Sequence, residues 1–146
     1  MITGNKTKAI FTTFFLFLIL FSSSQIYTIG PMFHYYFGDR KGAFSWGIEG
    51  AMWDFSKRIP YGYDVGLEFQ KSKFRIYSEI QTGIIFAGVS GGLGLAFKKE
   101  ERVKLFLQGS IWANALIGLD FRLRTLKDDN FAPGVYVKIP FGDLGL

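Results

Sequence analysis

The sequence predicts an all-β protein: an antiparallel up-and-down transmembrane β-barrel of about eight strands, after an N-terminal signal peptide. Three observations predict it. Apolar and polar residues alternate with period two through nearly all of residues 26–141, as in a strand whose two faces meet different surroundings. The apolar face carries more bulk than the interior of a narrow barrel can hold. The opposite face collects most of the glycines and five acids against five bases.

Composition narrows the function classes. The chain has 146 residues and a formal charge of +5, with 49% apolar residues, 17 Phe, 18 Gly, one His and no Cys. That length makes one domain. Without Cys there is no disulfide framework, thiolate metal site or cysteine nucleophile, and one His rules out a two-histidine metal motif. No cofactor is expected, and no metal. High Phe with high Gly is unlike a small soluble enzyme, because Phe calls for burial while Gly weakens helices and strands alike.

The N-terminus reads as an address. Lys6 and Lys8 precede an apolar run from Ala9 to Phe21, broken only by Thr12 and Thr13, and Ser22, Ser23 and Ser24 follow. The run is shorter than the roughly 20 residues of a membrane-spanning helix, and its flanks are those of a secretory signal peptide. Residues 1–24 are the expected signal and 25–146 the expected barrel. Without a Cys after the apolar run, a lipoprotein anchor is excluded. Losing Lys6 and Lys8 lowers the charge from +5 to +3, too mild a bias for a nucleic-acid partner.

The strands follow in order. Tyr27, Ile29, Phe33, Tyr35 and Phe37 oppose Thr28, Gly30, His34 and Tyr36. Phe44, Trp46, Ile48 and Met52 oppose Ser45, Gly47, Glu49 and Ala51. Tyr61, Tyr63, Val65, Leu67 and Phe69 oppose Asp64, Gly66, Glu68 and Gln70. Phe74, Ile76, Ile80 and Ile84 oppose Arg75, Tyr77, Glu79 and Gln81. The fifth strand sets Val89, Leu93, Leu95 and Phe97 against Gly88, Ser90, Gly92 and Gly94. The sixth sets Val103, Leu105, Leu107 and Ile111 against Lys104, Gln108, Ser110 and Asn114. In the seventh, Ile117, Leu119, Phe121 and Leu123 oppose Gly118, Asp120, Arg122 and Arg124; in the last, Val135, Val137, Ile139 and Phe141 oppose Tyr136 and Lys138. Short connections make sequence neighbours antiparallel partners.

Which face points inward follows from volume, glycine and charge. Bulky apolar side chains fit outside the barrel, against lipid. Gly30, Gly47, Gly66, Gly83, Gly88, Gly92, Gly94 and Gly118 share the polar face, where a narrow lumen needs small residues, while Gly50, Gly91 and Gly109 lie on the other. Glu49, Asp64, Glu68, Glu79 and Asp120 are balanced by Arg75, Lys104, Arg122, Arg124 and Lys138, as an enclosed polar network requires. Trp53 and Trp112 also fall on the polar face by strict alternation. A β-bulge beside either would turn it to lipid, and the sequence leaves both readings open.

Connections sort into two kinds. Asp39-Arg40-Lys41, Lys71-Ser72-Lys73, Lys98 to Arg102 and Lys127 to Asn130 are charged and follow odd-numbered strands. Ile85-Phe86-Ala87 and Ala113-Asn114-Ala115 are apolar or small, whereas the connection with Lys57, Arg58 and Pro60 departs from that pattern. Tyr27, Phe37, Phe44, Phe55, Tyr61, Phe69, Phe74, Phe97 and Phe141 gather near strand ends, where interfacial girdles belong.

On this alternation the sequence resembles the small eight-stranded outer-membrane β-barrel proteins of Gram-negative bacteria. The resemblance covers the signal region and nearly all of residues 26–141, and it is architectural rather than carried by a motif. It implies partners in outer-membrane lipid, lipopolysaccharide and the barrel-insertion machinery, which reads a C-terminal aromatic. Val135 to Phe141 is similar to such a last strand, although Gly142 to Leu146 runs past it. Members of the family include membrane-stabilising proteins, adhesins, narrow pores and a few lipid-A-modifying enzymes, and the fold does not choose among them.

The expected role is non-enzymatic: an envelope-structural or surface-interaction barrel whose surface partner the sequence does not name. His34 is the candidate for a different role, a lipid-A-modifying enzyme with Ser45 and Glu49 as companions; a hydrogen-bonded core histidine is the simpler reading. Glu68, Arg75, Glu79, Asp120, Arg122 and Arg124 either line a selective pore or form a salt-bridged plug, and eight strands favour the plug. A third class is a soluble periplasmic barrel holding a lipid. Gly88 to Gly94 lacks the Lys and helix of a phosphate loop.

Overall fold

The computed structural model describes residues 25–38, 42–84, 86–99, 101–114 and 117–141. The expected signal peptide, the charged triplet at 39–41 and the tail at 142–146 lie outside the described residues.

Among the described residues there are nine strands: β1 (Gln25–Tyr36), β2 (Ala43–Asp54), β3 (Tyr61–Gln70), β4 (Lys73–Ile84), β5 (Ala87–Lys98), β6 (Lys104–Asn114), β7 (Ile117–Arg124), β8 (Phe131–Val137) and β9 (Ile139–Phe141). A short 3-10 turn, Lys127–Asp129, precedes β8. From β1 to β8 each strand pairs antiparallel with its sequence neighbours, and β1 also pairs with β8 and β9, so the sheet closes on itself. β8 and β9 share one register: Met32 faces Tyr136 and, three residues further on both sides, Ile29 faces Ile139. They are a single wall interrupted at Lys138, next to Val137, which in this register comes opposite Pro31 on β1, a residue with no N–H to contribute. The barrel therefore has eight walls.

Its inside is polar and its outside apolar. Burial alternates along the strands, most regularly in β7, where Gly118, Asp120, Arg122 and Arg124 are buried and the residues between them exposed. Arg75 and Glu68 are wholly buried, while Ile80 is 60% and Leu123 64% exposed. A water-soluble barrel has the opposite sense. Aromatic contacts ring the charged-loop end of the outer surface, with Phe74 5.2 Å from Phe69 and 5.7 Å from Phe97, and Trp46 4.8 Å from Phe69. At the other end Tyr27 meets Phe141. Phe55 departs from the expected girdle, stacking instead on Trp53.

The registers explain how large side chains fit inside. Tyr77 lies between Gly66 and Gly94, Trp112 opposite Gly88, Tyr136 opposite Gly118, and His34 opposite Gly134. A Cβ at Gly66 would fall within the Tyr77 ring, and one at Gly118 within the Tyr136 ring. Trp53 and Trp112 both stay inside, edge to face at 5.5 Å. The ladder runs through each without a bulge, which resolves the alternatives that alternation left open.

Candidate functional site

The site is the lumen, and its charges fall into three tiers. Nearest the charged loops, Glu68 on β3 accepts bonds from Tyr36 at 2.9 Å, Ser45 at 2.6 Å and Arg124 at 2.8 Å, with Arg75 at 3.4 Å. The guanidiniums of Arg75 and Arg124 each lie 4.7 Å from the centre of the Tyr36 ring, a cation–π arrangement that helps hold buried charge. Around an eight-walled barrel β3 and β7 are directly opposite, so the Glu68–Arg124 pair spans the diameter.

The middle tier centres on Arg122. Its guanidinium donates to Asp120, to Glu49 at 2.8 Å and to the Tyr77 hydroxyl. Tyr77 in turn donates to Glu49 at 2.6 Å, and Lys138 reaches Glu49 at 2.9 Å. His34 Nε2 is hydrogen-bonded to Asp120, 2.8 and 3.0 Å from its two oxygens.

The third tier, toward the turn end, holds Asp64 and Glu79. They face each other directly across β3 and β4, and among the described residues neither forms an ion pair.

Nine of the ten charged residues expected in the lumen thus point into it. Lys104 does not join them. It keeps the inward parity of β6 but stands at the strand's first position, where its side chain is 58% exposed and pairs with Glu101 at 3.1 Å. Inward parity leads into the lumen only where walls enclose the position. Asp129, which alternation had left in a connection, enters the network: the 3-10 turn folds it inward, 3% exposed, onto Arg75 and Lys73. Its pairing has no signature in strand periodicity, because it depends on how the loop folds over the mouth.

His34, Ser45 and Glu49 are not assembled as a relay. Ser45 lies opposite His34 in register, yet its hydroxyl donates to Glu68, and at 3.5 Å to the His34 backbone carbonyl. Glu49 is bonded to Tyr77, Arg122 and Lys138, and the acid on His34 is Asp120.

At the charged-loop end a cavity of about 580 Å³ opens, lined by Lys73, Lys98, Arg102, Lys104 and Lys127 together with Glu101, Asp128 and Asp129. Hydrogen bonds from Lys98 and Lys104 hold the Glu101 carboxyl down at about 2.

A closed antiparallel barrel with an apolar exterior and an ion-paired interior is a transmembrane β-barrel in its fold class. No family model and no curated protein matches the chain. A solved structure described as "De novo design of transmembrane beta-barrels" is similar at a TM-score of 0.45 and 11% identity, covering 79% of this chain and 93% of that one.

Proposed function

We propose that this protein is an exported, non-enzymatic barrel of the Gram-negative outer membrane, serving envelope structure and binding an anionic surface partner. The observation that carries this reading is the pair Glu68–Arg124 across the full width of the lumen. With Arg122 joining Asp120 and Glu49 beneath it, the interior acts as a strut rather than a passage. The work left to such a barrel is mechanical, and its chemistry lies at its rim. The mouth cavity sets five bases against three acids, a surplus suited to lipopolysaccharide phosphates, which charge-assisted hydrogen bonds recognise.

The test begins with the full chain folded in detergent and run on a denaturing gel with and without boiling. Faster migration before boiling, no conductance steps in a planar bilayer and unchanged lipid A by mass analysis are the expected results. Release without detergent would replace the reading with a soluble lipid carrier. Ohmic conductance would replace the strut with a pore. A lipid-A mass change lost in His34→Ala would make the protein an enzyme.

A further inference from the structure

We propose that Asp64, Glu79 and Glu49 hold one divalent cation of the calcium class inside the barrel. Among the described residues one carboxylate oxygen from each lies within 4.8 Å of the others, and all three side chains are buried. Ligand atoms at 2.3–2.6 Å from a calcium ion are separated by about this much across the ion.

Three further observations point the same way. First, the expected balance of lumen charge relied on Lys104, which the structure leaves at the rim. Arg122 and Lys138 line the cavity but bond to Asp120 and Glu49, so among the described residues neither cation is paired with Asp64 or Glu79. Buried charge without a counter-charge is costly, and a divalent ion neutralises exactly two carboxylates.

Second, the unpaired polar atoms converge. Asp64 Oδ1, Glu79 Oε1 and Gln81 Nε2 are buried without a hydrogen bond, and all three side chains line one small cavity. Gln81, 2% exposed, adds an amide whose two ends are interchangeable in shape; turned over, it offers an oxygen. Third, the cavity measures about 10 Å³, room for one small sphere such as an ion or water.

The experiment uses the full chain folded in detergent, with terbium(III) as the luminescent probe and tryptophan excitation, since Trp112 borders the cavity. Expected is sensitised emission that saturates at one ion per barrel and is displaced by calcium. It should fall more than about tenfold in the Asp64→Asn, Glu79→Gln double variant, the loss that removing even an outer-sphere partner causes. Undiminished emission from a folded double variant, or none from the folded natural chain, overturns the proposal. Glu79→Gln alone, with the same expected loss, serves if the double variant does not fold. The natural chain gives an independent reading: its unfolding temperature should rise in calcium relative to EDTA, and equal temperatures that vary only with pH would establish a shared proton instead.

Discussion

Glu68 and Arg124 meet at 2.8 Å with neither side chain reaching solvent, tying β3 to β7 across the lumen. Four donors converge on this one carboxylate. Removing its charge leaves two buried guanidiniums under-compensated. Glu68→Gln is therefore expected to destabilise the folded barrel by about 3–5 kcal/mol, measured as the shift in urea unfolding of the detergent-folded protein. A change near zero would mean that the pair is screened by water in the lumen.

Lipid-facing and rim positions should respond differently to charge. Ile80 is exposed near the middle of β4, and Ile80→Arg is expected to cost about 2–4 kcal/mol in a bilayer. Lys104→Gln, at the rim, should change stability by less than about 0.5 kcal/mol. Refolding equilibria in lipid vesicles compare the two directly, and similar costs would put the membrane boundary in the wrong place.

Space inside the lumen can be probed through glycine. Gly118→Ala places a methyl group against the Tyr136 ring and is expected to cost about 1–3 kcal/mol. In that background, Tyr136→Leu should cost less than it does alone, with a coupling of about 0.5–3 kcal/mol in a double-mutant cycle. Additive costs would show that the ring simply moves aside.

Acid should loosen the mouth. Burial pushes the Asp129 carboxyl up, but the Arg75 charge and hydrogen bonds from Lys73 and Arg75 outweigh it and hold the group below its ordinary 3.8. A carboxyl lowered on folding binds fewer protons in the folded state, so its contribution is complete above 3.8 and is lost as pH falls below that value. Asp129→Asn is expected to remove this part of the acid loss, seen as a flatter dependence of unfolding temperature on pH between about 5 and 2. Parallel curves for the two proteins would assign the acid sensitivity elsewhere.

Much of the architecture was legible from period-two alternation alone. Side chains of a strand point to opposite faces whatever the strand's neighbours are, so the eight walls, the lipid-facing belt and the lumen glycines could be read residue by residue. Strict alternation set Trp53 and Trp112 on the polar face but left a bulge open, and only the registers showed the unbroken ladder and the glycines that make room for them. What tertiary structure decided was which inward residues meet. Glu68 finds Arg124, 56 positions away, because closure sets β3 opposite β7, and no local pattern encodes a diameter. Asp129 joined the lumen and Lys104 left it for a related reason: each sits where a strand ends. There the loop's own fold decides whether the side chain enters the lumen or meets water.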